Sequence, residues 1–415
     1  MLDIQKIRDH KDQVKAALLK RLKPENFDLE HLIQLDDERR MLISKTEELR
    51  AQRNKSSQSK PDAATIAKLK KVGEEIKQYD ENLAAVEDTL RIRLSELPNL
   101  PAEDVLPGGK ENNKVIHTFG KKPSFKFTPK DHVELATSLG LVDYERAVKM
   151  SGSGFWAYTG DGALLEWALL NYFIEFHRKN DYEFILPPYL LTEQSAYTSG
   201  HLPKFRDDLY WNQDRLCLNA TSEMMLGNWH RDEIIPGEEL PRKYFAYSAC
   251  FRREAGAYRK EERGMVRGHQ FNKIEMFQFT RPEDSWKAFD ELTKNAQKLV
   301  EGLGLHCQSV LLAAEDASAA MAKTIDLEVW IPSMNVYKEV SSISNALDYQ
   351  ARRGNIRFKD KDAKKTEFLH TLNASGLATS RIVPAILEQF QQADGSVQVP
   401  KVLQKFVGKK VLKKK

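Results

Sequence analysis

Three cysteines in 415 residues are too few, and too far apart, for a disulfide framework. Cys217, Cys250 and Cys307 show no C-x-x-C spacing, which argues against a structural zinc site and fits a reducing compartment. No apolar run approaches the ~20 residues that cross a bilayer. The opening MLDIQKIRDHK is charged from its third residue and lacks the apolar centre of a secretory signal. The expectation is a soluble, cytoplasmic protein without membrane contact. Charge of one sign is also missing: 64 basic residues stand against 60 acidic ones, so any basic face must be local. The phosphate loop G-x-x-x-x-G-K-[ST] is absent, so this is not a P-loop protein. What the chain does have is 41% hydrophobic residues, enough for a large core. Its length suits two or three domains at roughly 100–200 residues each.

A short amphipathic segment opens the chain, with Leu2, Ile4, Ile7, Val14 and Leu18. Leu35, Leu42 and Leu49 then recur at seven-residue intervals, with Leu32 on the same stripe. A second run, Leu69, Val72, Ile76, Tyr79, Leu83, Val86, Leu90 and Leu97, alternates spacings of three and four, with Arg93 filling the one gap. Such a pattern is the seam of a coiled coil. Between the runs Pro61 stops one helix and Asp62 can cap the next. The expectation is an antiparallel helical hairpin, about 29–97, with Lys45, Arg50, Arg53, Lys55, Lys60, Lys68, Lys70 and Lys71 near its tip. A dimerisation coil, a spacer and a nucleic-acid contact all remain open on this evidence. The stretch LPNLPAEDVLPGGKENN, rich in proline and glycine, reads as a linker that ends an N-terminal domain of residues 1–110.

Residues 111–415 mix strands and helices. Helices fit 161–179 and DSWKAFDELTKNAQKLVEGLG. Strands fit YEFILPP, RLCLNA, KYFAYSACF, HQFNKIEMFQF and IDLEVWIP. The fold class expected is α+β, with a mainly antiparallel sheet flanked by helices. The terminal KFVGKKVLKKK reads as a solvated, mobile basic tail.

The run from Cys250 to Phe279, CFRREAGAYRKEERGMVRGHQFNKIEMFQF, places an arginine-rich loop between two strand-like segments. Arginine forks bind phosphate oxygens in pairs, so the loop suits a nucleotide triphosphate. On the return strand Phe271, Lys273, Glu275, Phe277 and Phe279 share a face. A carboxylate among phenylalanines needs a cation. Lys273, Arg252 or the amino group of a ligand could each supply it.

Phe251, Arg252, Glu254, Ala255, Gly256, Arg263, Gly264, Arg267, His269, Gln270, Phe271, Lys273 and Glu275 together resemble motif 2 of class II aminoacyl-tRNA synthetases, in the form found in seryl-tRNA synthetases. That motif spans about 244–279 here. YEFILPPYLL, with Pro188, resembles motif 1 (about 180–191) at a dimer interface. HLPKF, LNATSEMML and IDLEVWIPSMNVYKEVSSISNALDYQARR resemble the family's connecting segments, and TLNASGLATSRIVPAILEQFQQADGSVQVP its motif 3 (about 371–391). The resemblance runs the whole chain. It implies activation of L-serine with ATP to seryl-adenylate, releasing pyrophosphate, then transfer to the 3′ end of tRNA(Ser). Whether tRNA(Sec) is also served stays open. It also implies a homodimer and a helical arm that reaches the tRNA.

By the same resemblance Arg252 and Arg381 are catalytic, with Arg252 bridging the serine carboxylate and the α-phosphate. The ATP-binding set is Arg252, Arg253, Glu254, Arg267, Phe271, Glu339, Val340, Ser341, Ser342 and Arg381. Glu254 would face the adenine amino group, Phe271 stack on the ring, and Arg267 and Arg381 hold the outer phosphates. Glu339 and Ser342 would bind Mg2+ with the phosphates, a hard cation suited to oxygen donors. They are three apart, so a bulge near Val340–Ser341 is required to turn both to one side. Serine would meet Thr221, Ser222, Glu223, Arg252, Glu275, Asn373 and Ser375, with Glu275 on the ammonium. Arg50, Arg53 and Lys55 would touch tRNA.

The chain departs from the family pattern in places. It has Asn373-Ala374-Ser375-Gly376 for N-G-S-G, Thr221-Ser222-Glu223 for T-A-E, Ile343 where cysteine is frequent, Ser380 for glycine and Gly154 for arginine. Ser380 is expected to cap the helix that holds Arg381, with Pro384 in its first turn. A catalytically dead relative would have lost Arg252, Glu275 or Arg381. A ligase acting on a carrier protein would lack the hairpin and hold the amino group through a metal with cysteine or histidine ligands.

Overall fold

The heptad leucines form one side of a two-helix hairpin. The computed structural model describes residues 1–56, 63–255 and 264–414. These divide into two compact units, Met1–Leu100 and Pro101–Lys415. In the first, α1 (Leu29–Ser56) and α2 (Ala63–Glu96) run antiparallel. Leu32, Leu35 and Leu42 of α1 and Val72, Ile76 and Leu90 of α2 are buried. Each such residue contributes roughly 1.5–3 kcal/mol by leaving water. The seam differs from the heptad expectation at one point. Leu94, not Arg93, is buried after Leu90, and Arg93 lies outside, paired with Glu96. A one-residue shift there keeps the guanidinium in water. Pro61, Asp62 and Lys60 lie outside the described residues. The opening segment makes two short helices, Ile4–Asp9 and Lys11–Leu18, whose Ile7, Val14 and Leu18 are buried. Asp36 of α1, fully buried, accepts from Arg8, Arg39 and Arg40.

The second unit is built on an eight-stranded sheet. Its strands are β1 (Lys114–Phe119), β2 (Glu183–Ile185), β3 (Arg242–Phe251), β4 (Gln270–Thr280), β5 (Cys307–Leu311), β6 (Lys323–Ile331), β7 (Val336–Leu347) and β8 (His370–Ala378). They lie in the order β1-β5-β6-β7-β8-β4-β3-β2. All neighbours are antiparallel except β2 and β3. Helices α3 (Asp161–Arg178), α4 (Ser285–Glu301) and α6 (Thr379–Gln389) supply Leu169, Phe173, Leu292, Ile382 and Ile386 to the main core. Ile274 and Met276 of β4 and Leu372 and Ala374 of β8 enter the same core, so alternate residues of these strands point away from it. On that opposite side a smaller cluster, with Phe277, Phe279 and residues Ala351 and Ile356 around α5 (Tyr349–Gly354), fills one end.

Two connecting segments behave differently from their composition. The Pro/Gly stretch after α2 is fastened within the second unit: Ala102 N–H donates to Ala322 O at 2.8 Å, Ala314 N–H to Leu106 O at 2.9 Å, and Lys323 pairs with Asp104. The basic C-terminal segment is not a solvated tail up to Leu412. Val411–Leu412 pairs with Val397–Gln398, Leu412 is buried, and Lys409 donates to Asp161 at 2.6 and 2.7 Å. One apolar side chain and one acid partner decide its placement. No helix among the described residues is long and apolar enough to cross a membrane.

Candidate active site

The sheet face left open by α3, α4 and α6 carries a cleft of about 170 Å³. Strand register assembles its floor. Glu275 of β4 lies opposite Ser375 of β8, and Asn373 lies opposite Ser344 of β7. Alternation along β4 turns Phe271, Lys273 and Glu275 into the cleft together. Lys273 Nζ sits 2.5 Å from Glu275 Oε2, with both side chains buried. Asn373 Nδ2 donates to Glu275 Oε1 at 3.1 Å, while Asn373 Oδ1 is a buried acceptor with no hydrogen-bond partner.

A second carboxylate stands nearby. Glu223 opens a one-turn helix, Glu223–Leu226, and its backbone N–H donates to Thr221 Oγ1 at 3.2 Å. Gln350 Nε2 donates to Glu223 Oε1 at 2.8 Å and is itself held by Thr371. Burial pushes Glu223 up to about 7, and the negative charge of Glu275 adds to the rise. Two acids so placed favour a cation between them.

The same cleft also carries arginines. Arg252 follows the last residue of β3. Its Nε donates to Ala220 O at 3.3 Å, and its guanidinium stands 5.2 Å from the centre of the Phe271 ring. Glu254 takes the left-handed backbone region (φ 53°) and pairs with Arg267. Arg381 is the third residue of α6, where the helix adds its positive end. Its Nη1 donates to Glu339 O at 2.7 Å and its Nε to Val266 O at 3.3 Å. The expected cap differs. Ala378 occupies the cap position and makes no side-chain bond, Ser380 is the second helical residue, and Pro384 lies beyond the first turn. The β8 strand runs straight into α6, which leaves no separate capping residue between them.

Glu339 and Ser342 both line the cleft. The register supplies the bulge that parity requires: Leu327 pairs with Ser341 but Glu328 with Glu339, so Val340 is the extra residue. Ser342 lies opposite Asp326 of β6, which is buried and has an unpartnered Oδ1. Burial and the Glu339 charge hold Asp326 well above the usual carboxylate range. The carboxylate and hydroxyl oxygens here suit a hard divalent cation. No group of three or more His, Cys, Asp or Glu is placed to bind a metal by itself among the described residues.

Thr221, Glu223, Arg252, Glu254, Arg267, Phe271, Glu275, Glu339, Val340, Ser342, Asn373, Ser375 and Arg381 all line this one cleft. Three residues expected there do not. Ser222 is buried and shares a hydrogen bond with Ser248 at 2.7 Å. Ser341 alternates away from Ser342 and donates to Ser375 O at 2.6 Å. Arg253 points outward and donates to Asp207 O at 3.1 Å. Arg50, Arg53 and Lys55 belong to the other unit, and Arg50 is paired with Asp80 at 2.9 Å. Gly256 and Arg263 lie outside the described residues.

Some contributors carried no local signal. His201 lines the cleft. Burial and the charges of Arg252, Lys273 and Arg353 drive it down to about 3, and its Nδ1 shares a hydrogen bond with Ser199 at 2.9 Å. Gln350 acts from α5, and its position is a matter of tertiary packing. Gly154 has a clear reason. Its φ is +81°, its carbonyl accepts from His269 N–H at 3.0 Å, and a Cβ there would come 2.6 Å from the His269 ring.

Two family models match the chain. One, described as the seryl-tRNA synthetase N-terminal domain, covers residues 1–101; the other, the tRNA synthetase class II core domain (G, H, P, S and T), covers 204–390. Serine–tRNA ligase 2 of Clostridium acetobutylicum is 54% identical, over 99% of both chains. The chain belongs to the seryl-tRNA synthetase family. It is accordingly an aminoacyl-tRNA ligase of class II, a serine–tRNA ligase. The seryl-tRNA synthetase of Pyrococcus horikoshii complexed with ATP superimposes with a TM-score of 0.93 at 33% identity, covering 99% of each chain. The cytoplasmic serine–tRNA ligase of Naegleria fowleri in complex with AMP gives 0.88 at 30%, covering 100% of this chain and 99% of the other. Both ends of the chain thus agree with a synthetase that pairs a helical arm with a class II core.

Proposed function

We propose that this cleft activates L-serine with ATP and that the seryl group then passes to the 3′-terminal ribose of tRNA(Ser). The carrying observation is the meeting of two charge types in one cavity: the acids Glu223 and Glu275 and the cations Arg252 and Arg381. Serine brings an ammonium and a carboxylate, and these groups match both. Glu275 and Glu223 hold the ammonium. Asn373 Oδ1, Thr221 and Ser375 surround the hydroxyl, so alanine would leave buried polar groups unpaired. Arg252 binds the serine carboxylate and the α-phosphate. The carboxylate oxygen attacks phosphorus, the bond to pyrophosphate breaks, and pyrophosphate leaves. The step needs alignment and charge neutralisation more than proton transfer.

Phe271 offers its ring to adenine and Glu254 its carboxylate to the adenine amino group, while Arg267 and Arg381 take the outer phosphates. Glu254 and Arg267 pair with each other, so ATP binding would exchange that pair for interactions with the nucleotide. Glu339 and Ser342 would hold Mg2+, with Asp326 behind Ser342. When bound, the ion neutralises phosphate charge. The α1–α2 hairpin reaches the tRNA. A homodimer is supported by exposed apolar groups on α3 and after β2, Leu164, Trp167, Leu186 and Leu190. ATP–pyrophosphate exchange tests the reading: serine supports it, alanine fails by orders of magnitude, and Arg252→Ala abolishes it. Exchange with alanine as fast as with serine would overturn the assignment of the pocket.

A further inference from the structure

Glu166 belongs to α3, packed on the far side of the sheet from the cleft, and does not line it. It is buried. One of its oxygens, Oε1, accepts two hydrogen bonds: from Thr379 Oγ1 at 2.6 Å and from Asn272 Nδ2 at 2.8 Å. Each donor sits at a telling place. Asn272 is the β4 residue between Phe271 and Lys273, and alternation turns its side chain away from theirs. Thr379 is the first residue of α6, two before Arg381. The Thr379 hydroxyl also reaches Asn272 O at 3.1 Å, and Tyr247 OH donates to Asn272 Oδ1 at 3.1 Å, which fixes the amide's orientation. One carboxyl oxygen therefore ties the strand bearing the adenine-side ring to the helix bearing the phosphate-side arginine.

We propose that Glu166 is a positioning residue for adenylate formation, fixing Phe271 and Arg381 relative to each other from behind the sheet. The proposal rests on the reading that Phe271 and Arg381 hold ATP. Without the shared acceptor, the half-buried Asn272 amide loses its carboxylate partner and the Thr379 hydroxyl keeps only Asn272 O, so the tie between the two walls is loosened. Misplacement of about 1 Å at a reacting centre can cost about 100-fold in rate. The serine wall, built from Thr221, Glu223, Glu275 and Asn373, makes no hydrogen bond to Glu166 among the described residues.

The experiment compares Glu166→Ala, Glu166→Gln and Thr379→Val in the full chain by serine-dependent ATP–pyrophosphate exchange, with Phe271→Ala and Arg381→Ala as references. The amide oxygen of glutamine can accept the same two bonds, so Glu166→Gln should stay within about twofold of the parent. Glu166→Ala should raise KM for ATP about fivefold or more and lower kcat about tenfold, with KM for serine within about twofold. Thr379→Val, which keeps the shape and removes the hydroxyl's bonds to Glu166 and to Asn272 O but leaves the bond from Asn272 to Glu166, should lie between. If Glu166→Ala fails to fold, the other two variants still decide. Three results would overturn the proposal: parent-like kinetics in Glu166→Ala or Thr379→Val; a loss in Glu166→Gln as deep as in Glu166→Ala; or KM values for ATP and serine that rise together with a fall in Tm. If Phe271→Ala and Arg381→Ala leave KM for ATP unchanged, the nucleotide reading itself fails, and that outcome is separate from the behaviour of Glu166.

Discussion

Lys273 and Glu275 form a buried ion pair at 2.5 Å between residues two apart on one strand. Strand parity alone had left three cations in competition for that carboxylate. The geometry gives it Lys273 and still leaves it on the cleft wall, where a ligand ammonium can join. Glu275→Gln therefore removes a partner from both. Breaking a buried pair while leaving one charge behind costs about 3–5 kcal/mol. The variant should show a lower apo Tm and a KM for serine raised at least about tenfold, with ATP binding nearly unchanged. Melting curves and separate titrations of serine and ATP check this. A normal Tm with normal serine use would remove both roles.

With Glu223 on the serine ammonium, as proposed, serine binding should depend on pH. Its folded-state value, pushed up to about 7, lies above the ordinary 4.5. Folding thus favours the protonated acid: that contribution to stability is present below about pH 4.5 and lost as pH rises through about 7. Serine works the other way, because its ammonium favours the carboxylate. Its affinity should rise from pH 6 to 8, up to about tenfold per unit on the acid side, and level off above 7. Glu223→Gln should flatten the profile. An unchanged slope in that variant would assign the dependence elsewhere.

Much of this was legible in the sequence, for identifiable reasons. Helix and strand periods are local, so the seam leucines and the alternation of β4 could be read directly. The bulge at Val340 followed from a conflict between parity and the need to bring Glu339 and Ser342 together. What escaped depends on pairings distant in sequence. Gln350 reaches Glu223 across 127 residues, and Glu166 reaches Thr379 across 213. Ser222 and Ser341 sit next to cleft residues in sequence, but the backbone turns both into the protein. Leu94 displaced Arg93 because a one-residue phase change is invisible when both neighbours fit a stripe.

Salt dependence tests the arm. Arg50 is paired with Asp80, and Arg53 and Lys55 stand in the last turn of α1. If the tip binds phosphates, removing one phosphate-binding side chain flattens the log–log salt dependence of tRNA binding by about 0.7–0.9. Changing Arg50, Arg53 and Lys55 together to Gln should reduce the slope, with serine-dependent exchange intact. Filter binding across a salt series measures it. Unchanged slope and affinity would move the tRNA off this tip.

On the outer side of α3, Leu164 and Trp167 lie three apart and are 48% and 55% exposed, opposite the buried Leu165 and Leu169. Leu186, 70% exposed, follows β2 at the sheet edge. Large apolar groups gathered at one edge favour association with a partner surface, and a second copy supplies a self-complementary one. Trp167→Glu places a charge in that interface, at a ring that also packs 6.1 Å from Tyr247. Sedimentation should show a dimer for the parent chain and a shift toward monomer for the variant. If Glu166 transmits order from this helix to the cleft, the monomer should also show a raised KM for ATP. A Trp167→Glu chain that still sediments as a dimer would mean that the two copies meet through another face.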